Sequence, residues 1–180
     1  AEAMTGFAGE HGLSSIHVNF IDESESTELS PDWLSRSTVQ FHWHNRGWCD
    51  FDAFLDSLQS KKRKNIRQER AKTAAAGYAF RSVHGADIGD DDLCAMHAFY
   101  RSTFEQYGNA PALTLAFFQL LRERCPQSLV LVMASRAGVT CAGALFLRSS
   151  DTMYGRYWGS SENSPGLHFE TCYYQGIEYC

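Results

Sequence analysis

Apolar and polar residues alternate over Ser14–Asp22 (SSIHVNFID) and Thr38–Trp43 (TVQFHW), the two-residue period of half-buried strands. Between them DESESTELSPDWLSRS is acidic and Ser-rich, which predicts a loop and a short helix. The period changes at Phe51. Phe54, Leu55 and Leu58 recur at helical spacing, and one long helix is expected to run through KKRKNIRQERAKTAAAG to a stop at Gly77. Tyr78–Val83 alternates again as a strand. Leu93, Met96, His97, Tyr100, Phe104 and Tyr107 then keep a 3.6-residue period, so Asp90–Tyr107 is expected to be helical, and Leu113–Cys125 likewise. SLVLVMAS is an unbroken apolar run of the kind buried on both faces, Arg136–Gly138 a hairpin turn, and VTCAGALFL the partner strand. Thr152–Ser160 sets Met153, Gly155, Tyr157 and Gly159 against Tyr154, Arg156 and Trp158, predicting a strand with a glycine-lined side where a ligand or another backbone approaches closely. Ser164 as N-cap and Pro165 at the first helical position open the last helix. The expected class is α+β, a mixed but mostly antiparallel sheet flanked by helices. Residues 1–77 are expected to form an N-terminal region with two strands and a basic helix, and residues 78–180 the core.

In the last helix His168, Cys172, Gln175 and Tyr179 share one face at regular α spacing, and Phe169, Tyr173, Gly176 and Cys180 the next. His168 lies in the first turn, where the positive end of the helix dipole disfavours an imidazolium, so a neutral imidazole able to accept a proton is expected. Glu170, two residues on, sits about 200° round the helix and serves different neighbours. The Gly/Ser loop before this helix supplies backbone amides of the kind that hold a phosphate or polarise a carbonyl. In the long helix Arg63, Arg67 and Arg70, with Lys64 beside them, form a cationic stripe for an anionic ligand, while Lys62, Asn65 and Glu69 continue the face expected to be inward.

Composition narrows the classes. A chain of 180 residues with 44% hydrophobic and 13% aromatic content can bury a full core. Its net charge of −5 argues against general nucleic-acid binding. No run approaches the roughly 18 apolar residues of a membrane span, and the first residues lack the order of a signal peptide. The six cysteines are dispersed without a C-x-x-C pair, which points to reduced thiols, a cytoplasmic setting and no structural zinc. Gln40, His42 and His44 alternate on one strand face, but no carboxylate or thiol completes a metal set, and no metal is expected. His168-Phe169-Glu170 matches the H-x-E of zinc deaminases without their P-C-x-x-C. The chain starts without Met and ends inside a helical pattern, so it reads as a piece of something longer.

The strings QFHWHNRGWCDFDAFLDSLQSKKRKNIRQER, YGRYWGSS and LHFETCYYQGIEYC resemble the bacterial N-acyltransferases of the peptidoglycan biosynthesis/recognition group, a GNAT-superfamily family similar to the Fem-type aminoacyltransferases. The resemblance runs from about Ser14 to Cys180 and implies a GNAT fold that is incomplete at both ends here. It implies transfer of an acyl or aminoacyl group to an amine, with a peptidoglycan precursor as acceptor. The donor would be an acyl-CoA or an aminoacyl-tRNA. The acyl-CoA signature Q/R-x-x-G-x-G/A is approached by Arg156-x-x-Gly159-x-Ser161, which however lies in the strand and precedes the helix. On this reading His168 is base or orienting group, with Glu170 or Tyr173 as proton relay. Arg156, Trp158, Gly159, Ser160, Ser161, Gly166 and Leu167 line the donor cleft, and Arg63, Lys64, Arg67 and Arg70 meet the anion. A Fem-like module that only recognises a muropeptide or RNA is the alternative.

Overall fold

The computed structural model describes residues 2–19, 21–26 and 32–180. Phe20 of the first expected strand and residues 27–31 of the Ser-rich segment lie outside the described residues. The chain forms two compact units, residues 1–42 and 43–180. The first carries α1 (Glu2–Glu10) and α2 (Glu23–Ser26), the latter capped by Asp22, whose Oδ1 accepts from the Glu25 amide at 2.9 Å. The described parts of Ser14–Asp22 and Thr38–Trp43 form no strand. Alternation without a partner surface buries nothing, and Val39 and Phe41 stand 81% and 96% exposed.

In the second unit the expected long helix is two helices, α3 (Phe51–Asp56) and α4 (Ser60–Ala75). Asp50 caps α3 by accepting from the Ala53 amide at 2.7 Å, and the Ser57 hydroxyl donates to Phe54 O at 2.6 Å, closing the helix after six residues. The chain turns there because Trp43, Trp48, Phe51, Phe54, Leu55, Leu58 and Ile66 gather into one aromatic-rich cluster with Tyr174 and Ile177. Both helices belong to the second unit. Ser57–Gln59 is the turn between them.

Four antiparallel strands follow in the spatial order β1 (Tyr78–His84), β2 (Leu129–Arg136), β3 (Val139–Arg148) and β4 (Met153–Ser160). Helices α5 (Asp90–Gln106) and α6 (Leu115–Arg124) connect β1 to β2. The apolar run in β2 is buried on both faces. Leu129, Leu131 and Met133 join Leu93, Met96 and Phe99 of α5, while Val130 and Val132 face Ala144 and Phe146 with Met153, Cys172 and Tyr179. The hairpin turn has Ala137 at φ 50° and Gly138 at φ 78°, the left-handed pair that matches sheet twist.

A bulge corrects the glycine-lined side. Leu145 pairs with Tyr157 and Phe146 with Gly155, leaving Arg156 as the extra residue. Gly155 therefore meets Phe146, whereas Gly159 faces α5, where an added Cβ would lie 2.1 Å from Phe99 O. The space beside Gly159 belongs to the α5 backbone. Thr103 of α5 donates its hydroxyl to Trp158 O at 2.8 Å and fixes the approach.

The last helix begins at Leu167, not Pro165: Gly166 takes the cap position at φ 84°, and Ser164 O accepts from the Leu167 amide at 3.3 Å. It comprises α7 (Leu167–Phe169), a π turn (Glu170–Tyr174) and α8 (Gln175–Tyr179). No helix among the described residues is long and apolar enough to cross a membrane.

Candidate functional site

The π turn reassigns the faces of the last helix. Its wider winding stacks residues five apart, which in an α-helix would be about 140° out of line. His168 thus meets Tyr173 at 5.7 Å between ring centroids and also packs on Trp158 of β4 at 5.0 Å. Cys172 and Tyr179 instead turn to the sheet, so the expected shared face of His168, Cys172, Gln175 and Tyr179 is broken. His168 is exposed, and the partial desolvation of its imidazole against these rings lowers its pKa from the ordinary value. The expected direction is right, and its cause is desolvation. Phe169 stacks on Tyr173 at 5.4 Å, and the two are 53% and 50% exposed, so the patch has an open aromatic rim.

Glu170 points the other way, onto α4, and is 3% exposed. Its Oε1 accepts from Arg70 Nε at 3.1 Å and from Gln175 Nε2 at 2.8 Å. Arg70 also donates to Glu178 Oε2 at 2.6 Å and lies 4.5 Å above the Phe51 ring. The remaining oxygen, Glu170 Oε2, is buried without a hydrogen-bond partner among the described residues. Tyr174 donates its hydroxyl to Glu69, and burial, with that bond, raises its pKa.

The inward face of α4 is therefore Arg63, Ile66, Arg70 and Thr73, while Lys62, Asn65 and Glu69 are exposed. Helical spacing alone could not reveal this, because the partners of Arg70 are distant in sequence. Arg63 pairs with Asp56 at 3.6 Å, Arg67 with Asp52 at 3.2 Å, and Arg70 with Glu170 and Glu178. Asp52 and Asp56 were the missed partners, and their i, i+4 spacing just before the basic run was the signal available. The arginine stripe is mostly engaged within the chain. Lys64 has no ion-pair partner among the described residues and, with Ser60, Arg63, Arg67, Gln68 and Ala71, lines an open groove of about 430 Å³.

The expected donor loop is largely committed to itself. Ser160 and Ser161 both direct their hydroxyls at Cys141 O, at 3.0 and 3.2 Å. The Ser161 amide donates to the same carbonyl at 2.9 Å, and the Glu162 amide to Ser160 Oγ at 3.0 Å. Leu167 is buried in a cluster with Tyr78, Ala134, Cys141 and Ala142, and Gly166 packs on Thr73. Of the two amides expected to face a donor, that of Leu167 is engaged by Ser164 O. Arg156 is exposed on the bulge, and β4 has no partner strand on its outer side among the described residues. No group of three or more metal-ligating side chains occurs among the described residues.

A FemAB-like family model, described as peptidoglycan biosynthesis/recognition, matches residues 1–180. No curated protein matches the chain. Among solved structures, the C-terminal domain (DUF2156) of a candidate lysylphosphatidylglycerol synthetase from Agrobacterium fabrum is similar at 12% identity and a TM-score of 0.45, over 69% of this chain. The present chain spans 40% of the length of that structure. With the family model covering its whole length, this chain belongs to the FemAB-like family of peptidoglycan biosynthesis/recognition proteins.

Proposed function

We propose that this chain contributes the acceptor-side wall of an N-acyltransferase of GNAT type, transferring an aminoacyl or acyl group to an amine of a peptidoglycan precursor. The observation that carries the reading is His168 set in an aromatic patch beside the edge strand β4, in a chain of the FemAB-like family. The acceptor nitrogen attacks the donor carbonyl, a C–N bond forms, and the C–O or C–S bond to the donor breaks. His168 takes the proton the amine loses and returns it, by way of Tyr173, to the departing oxygen or sulfur. Arg156 and the outer edge of β4 meet the donor, with Trp158 behind His168.

The engagement of the Ser161, Glu162 and Leu167 amides leaves fewer N–H groups for a CoA pyrophosphate, which favours an aminoacyl-tRNA over an acyl-CoA. Lys64 and the α4 groove supply phosphate contacts for such a donor. The exposed pair Phe169 and Tyr173 favours a second reading, a recognition module that stacks on a ligand without turnover.

Thermal stabilisation separates these readings, since a ligand of the folded state raises the unfolding midpoint. Aminoacyl-tRNA is expected to raise it, and His168→Ala to abolish transfer while leaving binding in place. A rise with acyl-CoA alone would reverse the choice of donor. A rise with muropeptide only, and unchanged transfer in His168→Ala, would overturn the catalytic assignment.

A further inference from the structure

Three residue pairs in the last helix meet at a spacing of five. Gln175 donates to Glu170 at 2.8 Å, Tyr173 lies 5.7 Å from His168, and Tyr174 lies 6.5 Å from Phe169. All three are products of the π turn, since in a straight α-helix the members of each pair would diverge. A π turn gives up regular winding and persists where tertiary contacts hold it. The contacts here converge on one atom. Glu170 Oε1 receives Arg70 from α4 and Gln175 from the far side of the turn. Arg70 is itself seated on the Phe51 ring and tied to Glu178 in α8, so it grips the helix at the first residue of the irregular segment and again beyond its end.

We infer that Arg70, Glu170 and Gln175 form a clamp that holds the π turn, and that they are positioning residues setting Tyr173 against His168. Glu170 then acts through the backbone and not as a relay to substrate. Its buried oxygens and its direction, toward α4 and away from Trp158, fit that role. The proposal rests on the reading in which His168 and Tyr173 work together, but the clamp itself is a statement about geometry.

The test uses the His168 ring as its own reporter. The ring is faced by Trp158 from β4 and by Phe169 and Tyr173 from its own helix. NMR titration of the histidines, with the His168 signal assigned by His168→Gln, is run on Gln175→Ala, Glu170→Ala and Glu170→Gln. Gln175→Ala and Glu170→Ala are expected to lose the nuclear Overhauser contact between His168 and Tyr173 and to move the His168 midpoint up by about half a unit, as a ring leaves it to solvent. Glu170→Gln keeps an acceptor oxygen for Arg70 and Gln175 and is expected to titrate like the parent. A parental titration and contact in Gln175→Ala would overturn the clamp. Gln175→Ala removes no charge and decides the matter even where Glu170→Ala fails to fold. Because no donor is needed, the clamp fails or stands independently of the transferase reading.

Discussion

Gly159→Ala should be among the most damaging single-methyl changes in this protein. The added Cβ would sit 2.1 Å from Phe99 O, 2.5 Å from Phe99 C and 2.8 Å from Phe99 Cβ. Two of these atoms are backbone in the middle of α5, so no rotamer change relieves the overlap. Relief requires α5 to move off the sheet, which disturbs Met96, Phe99 and Tyr100 in the main core and the Thr103 bond to Trp158 O. Overpacking usually costs about 1–3 kcal/mol, and with rigid backbone on one side the cost here belongs at the upper end, about 3 kcal/mol. For a domain of this size that corresponds to a fall in melting temperature of roughly 6–12 °C. Circular dichroism melts and urea titrations measure it, with Gly155→Ala as control. At Gly155 an added Cβ meets the nearest atom, Phe146 Cε1, at 3.6 Å, an ordinary contact, so that variant should stay within about 1 kcal/mol of the parent. A drop of less than about 2 °C for Gly159→Ala, or equal effects at the two glycines, would refute the argument that the bulge sends them to opposite faces.

Burial also separates the two arginines that helical spacing placed on one stripe. Arg70→Ala leaves Glu170 buried with one donor and is expected to destabilise by about 2–4 kcal/mol, whereas Arg67→Ala, half-exposed and facing exposed carboxylates, should change stability by less than about 1 kcal/mol; urea midpoints compare them. The depressed pKa of His168 carries a sign. The folded state favours the neutral ring, so this contribution is fully present above the ordinary value of about 6.5 and is lost as pH falls through the lower folded value. Between pH 7.5 and pH 5.5 the parent should lose more thermal stability than His168→Gln, and an identical pH dependence in both would contradict the desolvation of the ring.

The second unit was legible in the sequence where one period held for a whole element. Asp90–Gln106, the β2–β3 hairpin and the edge strand appear close to where alternation and helical spacing put them. The departures share a cause: a single residue that shifts register is invisible to periodicity. Arg156 in the β4 bulge and the extra residue of the π turn each exchange faces downstream, which undid the glycine-lined side and the His168 to Tyr179 face. Ser57 ended α3 through a local hydroxyl bond that an apolar count does not register. The polar cluster around Arg70 was hidden because Glu170 lies 100 positions away. The placement of His168 in the first turn of a helix after a Gly/Ser loop was legible, since that is a local pattern.

The bulge at Arg156 bears on solubility as well as on the site. An unpaired strand edge is a template for the edge of another copy, and among the described residues β4 presents one, with Tyr154 more than half exposed. Arg156 interrupts it near its midpoint, leaving two short runs, Met153–Gly155 and Tyr157–Ser160, with different twist and a cation between them. Neither run offers a second molecule the long, flat, uncharged ladder from which aggregates grow, while a single polar ligand can still reach the arginine. Loss of that one inserted residue would straighten the edge and turn a guarded margin into a self-associating one.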